Sequence, residues 1–156
     1  MQVTALATPL GRVVLHWLGE RREGVLARVV LAAEGTQAPP APGWLADAFA
    51  AYFRDPGYVI RLPTRESGTG FQRRVWHAIA AIAPGATRTY GELAAELGSS
   101  ARAIGGACRA NPCPLVVPCH RVVARRGLGG FAGDRDGRLL AIKRWLVAHE
   151  SRVACR

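Results

Sequence analysis

Cysteine is absent from the first 107 residues, and lysine occurs once, at Lys143. The four cysteines, Cys108, Cys113, Cys119 and Cys155, fall in the last third of the 156-residue chain. A disulfide framework stapling the whole chain is therefore excluded, and without an export signal no disulfide is expected at all. The spacings among Cys108, Cys113 and Cys119 are not those of paired C-x2-C ligands, and the one nearby histidine, His120, adjoins Cys119 directly. No metal site is expected from that pattern. No apolar run approaches the ~20 residues a membrane span requires. The start, Met1-Gln2-Val3-Thr4-Ala5, has no basic stretch leading into an apolar one, so no signal peptide is expected and a cytoplasmic protein is.

What is present is arginine. The formal net charge is +10, with 21 Lys and Arg against 11 Asp and Glu. A small protein this basic suits a polyanionic partner, most often nucleic acid. The preference for arginine over lysine, with many Ala and Gly, would raise the charge without any ligand, so charge alone does not decide. Apolar residues make up 49% of the chain, enough for a packed core.

Along the chain, Val13–Trp17 and Val25–Leu31 read as a hairpin around the polar turn Gly19–Gly24, with Val3–Ala7 as a possible edge strand. Trp44, Leu45, Ala48, Phe49 and Tyr52 recur at helical spacing until Asp55-Pro56-Gly57 stops them. Tyr58–Leu62 reads as another short strand. No catalytic constellation occurs in residues 1–63, and His16 has no partner at motif spacing. The polar, Gly-containing stretch from Pro63 marks a boundary: residues 1–63 form an α/β unit, 64–69 a linker, and 70–156 a mostly helical unit. Thr69 with Gln72 and Thr89 with Glu92 are candidate capping boxes. Phe71, Val75, Ile79 and Ile82 make one helical face; Leu93, Ala94 and Leu97 make a second. Gly98-Ser99 links this second helix to a basic third, about Ser100–Ala110, in a helix-turn-helix pattern. Gly105 and Gly106 lie inside that third helix, where each costs ~1 kcal/mol relative to alanine. They permit either close helix packing or close approach of DNA, with Arg102 on the same small-residue face. A loop rich in glycine, Ala124–Gly133, and a last helix, Gly137–Glu150, complete the chain. Leu139, Ile142, Leu146 and His149 mark that helix's buried side.

The chemistry concentrates in Asn111–Val123. Asn111-Pro112 makes a turn that ends the preceding helix. Leu115–Val117 reads as a β-type run stopped by Pro118, and Cys119-His120-Arg121 follows before Val122-Val123. A thiol placed where the chain turns, beside an imidazole and a guanidinium, has the setting of an activated nucleophile. A buried inert cysteine is the alternative. Cys108 and Cys113 read as packing residues.

This run resembles the active-site signature of the O6-alkylguanine-DNA alkyltransferases, and the resemblance extends over about residues 69–150. Its blocks occur in the family's order: Phe71–Trp76, Thr89-Tyr90-Gly91-Glu92-Leu93, Arg102–Ala107, Asn111-Pro112, Pro118–Val122, Trp145-Leu146 and His149-Glu150. The resemblance implies a ribonuclease-H-like N-terminal scaffold before a helical domain carrying the helix-turn-helix and Cys119. It implies Cys119 as alkyl acceptor, His120 as its base through a water, Glu150 orienting His120, and Asn111 holding the turn. Tyr90 would press on a phosphate and donate a proton to guanine. Arg102 would fill the gap left by a flipped base, Gly105 and Gly106 would lie on the groove, and Gly91 and Arg125 would meet phosphates. Val122, Phe131, Ala132 and Gly133 would wall the pocket. The partner would be double-stranded DNA carrying O6-alkylguanine, with O4-alkylthymine a second candidate, and the reaction would be stoichiometric with no cofactor. A monomer, acting once per lesion and held on the nucleoid while bound, is the matching expectation.

The sequence departs from the family in four places, one of them the Gly98-Ser99 link, which looks shorter than in some members. No cysteine is available for the zinc that some members bind in the N-terminal half. Phe131-Ala132 replaces a Tyr-Ser pair, and Asp134–Arg138 looks like an insertion. Two other classes compete: a DNA-binding module with a structural Cys119, and a Cys–His hydrolase with multiple turnover.

Overall fold

The computed structural model describes residues 1–20, 23–133 and 136–155, the side chains of 154 and 155 excepted. Three antiparallel strands, β1 (Gln2–Thr8), β2 (Gly11–Leu18) and β3 (Val25–Val30), form a sheet in the order β1-β2-β3. The alternation of β2 explains its place: Val13, Leu15 and Trp17 face the main core, while Val14 packs with Ala5 and Ala33 on the other side. The turn expected at Gly19–Gly24 includes Arg21 and Arg22, which lie outside the described residues. Helix α1 (Gly43–Arg54) then lays Leu45, Phe49 and Tyr52 into the core.

Tyr58–Leu62 is not a strand. It is extended chain that only afterwards meets the sheet, where Leu26 donates to Pro63 O at 2.8 Å and Arg65 donates to Leu26 O at 2.7 Å. Pro63 has no N–H for a ladder, so pairing is confined to a single bridge between Leu26 and Thr64.

Beyond it run α2 (Gly70–Ala80), β4 (Arg88–Thr89), α3 (Tyr90–Leu97) and α4 (Ala101–Arg109). Both expected capping boxes are formed, Thr69 with Gln72 and Thr89 with Glu92, each with its two reciprocal bonds. Gly98 closes α3 in the left-handed conformation, φ 63°, which a glycine adopts without strain. The tight turn that results packs α3 against α4, and Trp76 Nε1 ties α2 to α4 by donating to Ala107 O at 2.8 Å.

Leu115–Val117 is also not a strand but a turn. Leu115 has φ 75°, and Pro114 and Val117 make only an isolated bridge. Prolines at 112, 114 and 118 remove the donors a strand would need. The turn is anchored to the sheet instead, because Val29 of β3 donates to Pro112 O at 2.8 Å. A short 3-10 turn, Cys119–Arg121, leads into β5 (Val122–Val123), which pairs in parallel with β4. Helix α5 (Arg138–Ser151) closes the chain, followed by a 3-10 turn, Arg152–Cys155. One buried cluster runs from Val13 and Phe49 through Val75, Leu93 and Ile104 to Cys119 and Leu146, so both halves share a core. Within the segment Asp134–Arg138, residues 134 and 135 lie outside the described residues, as does the side chain of Cys155.

Candidate active site

The parallel pairing of β4 with β5 sets the site. Arg88 lies opposite Val122 and Thr89 opposite Val123, so Tyr90 at the start of α3 falls beside the turn that carries Cys119. Cys119 is 5% exposed. Its sulfur accepts from Asn111 Nδ2 at 3.2 Å, and the same amide nitrogen donates to Val117 O at 2.8 Å. Asn111 Oδ1 in turn accepts from the Cys113 N–H at 3.0 Å. Asn111 therefore staples the proline-rich turn from inside. Burial pushes the Cys119 thiol up from its ordinary value; the Asn111 bond and the Lys143 ammonium work the other way. The resting thiol is protonated.

His120 is fully buried. Its Nε2 lies 2.7 Å from Glu150 Oε1. A carboxylate only accepts, so Nε2 carries the proton and Nδ1 presents a lone pair. That Nδ1 is buried and has no hydrogen-bond partner among the described residues. Burial lowers the tendency of His120 to protonate, with Arg121 and Lys143 adding to that and Glu150 opposing it. The result is a neutral imidazole with one free acceptor nitrogen, the form a general base needs.

Glu150 is the hub. Burial would raise its pKa, but the bonds from His120 and Arg121, and the Arg121 charge, hold it well below the usual carboxylate range. Arg121 grips it in a fork, Nε to Oε2 at 2.8 Å and Nη2 to Oε1 at 2.9 Å, while its Nη1 donates to Ile82 O at 2.6 Å. Tyr52 donates its hydroxyl to Oε1 at 2.8 Å. The sequence reading set the Arg121 guanidinium beside the thiol, whereas its donors go to Glu150 and Ile82 O; it gave Tyr52, 98 residues from Glu150, no role at this site.

Lys143, the sole lysine, is buried two helical turns before Glu150 on the same side of α5. It directs its three donors to three carbonyls, Val122 O at 2.7 Å, Leu128 O at 2.6 Å and Gly130 O at 2.9 Å, with the Tyr90 hydroxyl at 3.5 Å. Burial lowers its pKa to about 8, against the opposing pull of Cys119 and Cys108. That it is lysine in a chain that otherwise uses arginine was the one available sequence signal.

Above the thiol opens a cleft of about 500 Å³. Cys119, Tyr90 and Cys108 line its inner part. Cys108, expected as a packing residue, thus reaches the cleft, whereas Cys113 is 1% exposed and sits in the core. Phe131, Ala132 and Gly133 form one wall, with Ala132 held at φ 50°. Helix α4 forms the other, presenting Arg102, Gly105 and Gly106 with Ile104 and Ala107 turned inward. A Cβ added at Gly105 or Gly106 would meet nothing within 4 Å. Helix packing is therefore not the reason for these glycines, and the face they leave is open. Arg102 is exposed at its edge. Val122 is fully buried behind the site, and Gly91 and Arg125 are exposed outside the cleft. Burial and the two cysteines raise the Tyr90 pKa to about 12, so Tyr90 is a proton donor at neutral pH. Among the described residues no group of three or more His, Cys, Asp or Glu could hold a metal ion. No described helix is long and apolar enough to cross a membrane.

A buried thiol under an open cleft, backed by a neutral histidine and a carboxylate, has close relatives. Residues 70–152 match the family described as 6-O-methylguanine DNA methyltransferase, DNA binding domain. The chain is 49% identical over 113 residues to the methylated-DNA–protein-cysteine methyltransferase of Salmonella typhimurium, covering 70% of this chain and 63% of that protein's length. With the protein of the same name from Mus musculus it shares 33% identity over 179 residues, covering 96% and 81%. A crystal structure of Mycobacterium tuberculosis OGT in complex with DNA superposes with a TM-score of 0.78 at 30% identity, covering 97% of this chain and 94% of that one. This chain belongs to the 6-O-methylguanine-DNA methyltransferase family.

Proposed function

We propose that this chain repairs DNA by moving the alkyl group of O6-alkylguanine onto Cys119, once and irreversibly. The observation that carries the reading is the Cys119 thiol at the inner end of a cleft, beside a His120 whose Nε2 is occupied by Glu150 and whose Nδ1 is free.

A substituent on O6 is hidden in a duplex, so the base is turned out into the cleft. Cys119 sulfur attacks the alkyl carbon in line with the C–O6 bond. The S–C bond forms and the C–O6 bond breaks, with its electron pair leaving on guanine. The thiol proton passes to His120 Nδ1, through a water, and Glu150 stabilises the imidazolium. Tyr90 gives guanine the proton that neutralises it. The product at Cys119 is a thioether, which no group in the cleft cleaves, so one chain acts once. The same displacement extends to O4-alkylthymine as a second substrate. No metal or organic cofactor enters.

DNA as partner is supported by the net charge of +10 and by the solved relative in complex with DNA. Helices α3 and α4 act as a helix-turn-helix, with the Gly105–Gly106 face on the groove and Arg102 filling the place of the flipped base. Gly91 and Arg125 hold phosphates, and Val122 backs the pocket walled by Phe131, Ala132 and Gly133. Residues 1–63 serve as a ribonuclease-H-like scaffold, 64–69 as linker and 70–156 as the reacting domain, working as a cytoplasmic monomer.

The test uses duplex DNA with a radiolabelled O6-methyl group. Label should pass to the wild-type chain and stay on DNA with Cys119→Ala, which still binds the duplex. Label on the Cys119→Ala protein would overturn the assignment.

A further inference from the structure

We infer that Tyr52, which helix α1 contributes from the scaffold half, is a positioning residue of the reacting site: its hydroxyl orients Glu150 and moderates how strongly Glu150 favours a proton on His120. The inference deepens the alkyl-transfer reading and rests on it.

Tyr52 is 1% exposed, and its hydroxyl ends 2.8 Å from Glu150 Oε1. That oxygen also accepts from His120 Nε2 and Arg121 Nη2. The backbone carbonyl of Tyr52 accepts from His149 Nε2 at 2.9 Å, and the two rings meet edge to face at 5.3 Å. One residue of α1 thus grips two consecutive residues of α5, the second of them the carboxylate behind His120. Packing alone would be served as well by phenylalanine. A buried hydroxyl is unfavourable unless bonded, and here its bond goes to Glu150.

The direction of the effect follows from the shared oxygen. Each donor draws negative charge from Oε1. Without the Tyr52 hydroxyl, more of that charge faces His120 Nε2, the imidazolium is better stabilised, and His120 protonates at higher pH. The other groups facing His120 do not change. Arg121 on its own turn and Lys143 from α5 both oppose its protonation. Cys119 precedes it in the same turn, and α2, packed against that turn, buries Val75 and Ile79 while leaving His77 exposed.

The experiment compares the full-length wild type with Tyr52→Phe, which keeps the ring, and with Phe53→Leu, which loosens the neighbouring contact between Phe53 and Trp145. The His120 ring is titrated by NMR, and the rate of Cys119 alkylation by free O6-benzylguanine is followed against pH. In Tyr52→Phe the His120 midpoint and the acid limb of the rate both move up by about half a pH unit or more, the scale of a bond to a charged group. Phe53→Leu moves neither. Identical His120 behaviour in wild type and Tyr52→Phe, or an equal shift in Phe53→Leu, would reduce Tyr52 to packing and overturn the inference. A wild type that takes no alkyl group while Tyr52→Phe still shifts His120 would overturn the transfer reading and uphold the control of His120 by Tyr52.

Discussion

Asn111 holds Cys119 by its sulfur. The Asn111 amide nitrogen lies 3.2 Å from Cys119 Sγ and 2.8 Å from Val117 O, so one NH2 group fixes both the nucleophile and the turn leading to it. The amide oxygen takes the Cys113 N–H, which leaves the side chain no freedom to relax. Asn111→Ala removes all three bonds: the Cys113 N–H loses its acceptor, Cys119 Sγ loses its donor, and Val117 O is left with the Cys119 N–H alone, at 2.8 Å. Stability should fall by about 2 kcal/mol, read by urea unfolding, and alkylation by free O6-benzylguanine should slow by about tenfold or more.

Acid should destabilise the fold in two stages. The folded pKa of His120 is lowered by burial from 6.5, and that of Glu150 is held down from 4.5 by His120 and Arg121. In both cases the unfolded chain binds the proton more readily. The contribution of these two groups is therefore fully present above pH 6.5, declines first as His120 of the unfolded chain protonates, and declines again below 4.5 as Glu150 does. Melting temperature against pH reads both stages. Glu150→Gln should lose the second and lower stability at neutral pH by about 3 kcal/mol, since it leaves Arg121 buried without its counter-charge.

Lys143 offers a different test, because its three donors match three carbonyls. Arginine presents a planar fork and cannot reproduce that arrangement. Lys143→Arg should therefore behave like Lys143→Met rather than like wild type. Both should release the loop around Leu128 and Gly130, seen as faster amide hydrogen exchange there, and both should slow alkylation at Cys119. Retained protection in Lys143→Arg would contradict this account of the loop.

The sequence was most readable where structure is local. The capping boxes at Thr69 and Thr89 are four-residue patterns, and both formed as expected. The Gly98 turn was likewise visible from a few neighbouring residues, whereas Gly105 and Gly106 fitted either helix packing or an open face until the structure showed nothing within 4 Å of an added Cβ. Cys119, His120 and Glu150 were found through motif blocks. Local reading failed at Leu115–Val117 and Tyr58–Leu62, where apolar residues suggested strands and nearby prolines withheld the donors. It failed most where partners are remote. Nothing near Tyr52 announces a carboxylate 98 residues on, and nothing near Lys143 announces carbonyls of three different residues. Those contacts exist only once α1 and α5 have packed on the shared core.

Arg102 separates recognition from chemistry. It is exposed at the cleft edge and is not one of the partners in the buried bonds around Glu150. Arg102→Ala should leave stability within about 0.5 kcal/mol of wild type. Repair of O6-methylguanine in duplex DNA should fall by at least an order of magnitude, while reaction with free O6-benzylguanine stays within a factor of about two, as expected where extruding the base from the stack costs a few kcal/mol. Equal losses on the two substrates would remove the base-flipping role.

In the proposed transfer Cys119 is both nucleophile and final acceptor. Intact-protein mass after incubation with duplex DNA bearing one O6-methylguanine tests it most directly. The expected result is a gain of one methyl group per chain, mapped to the peptide holding Cys119 and stopping at one equivalent of lesion. An unchanged mass with the DNA still bound, or a methyl group on any other residue, would contradict it.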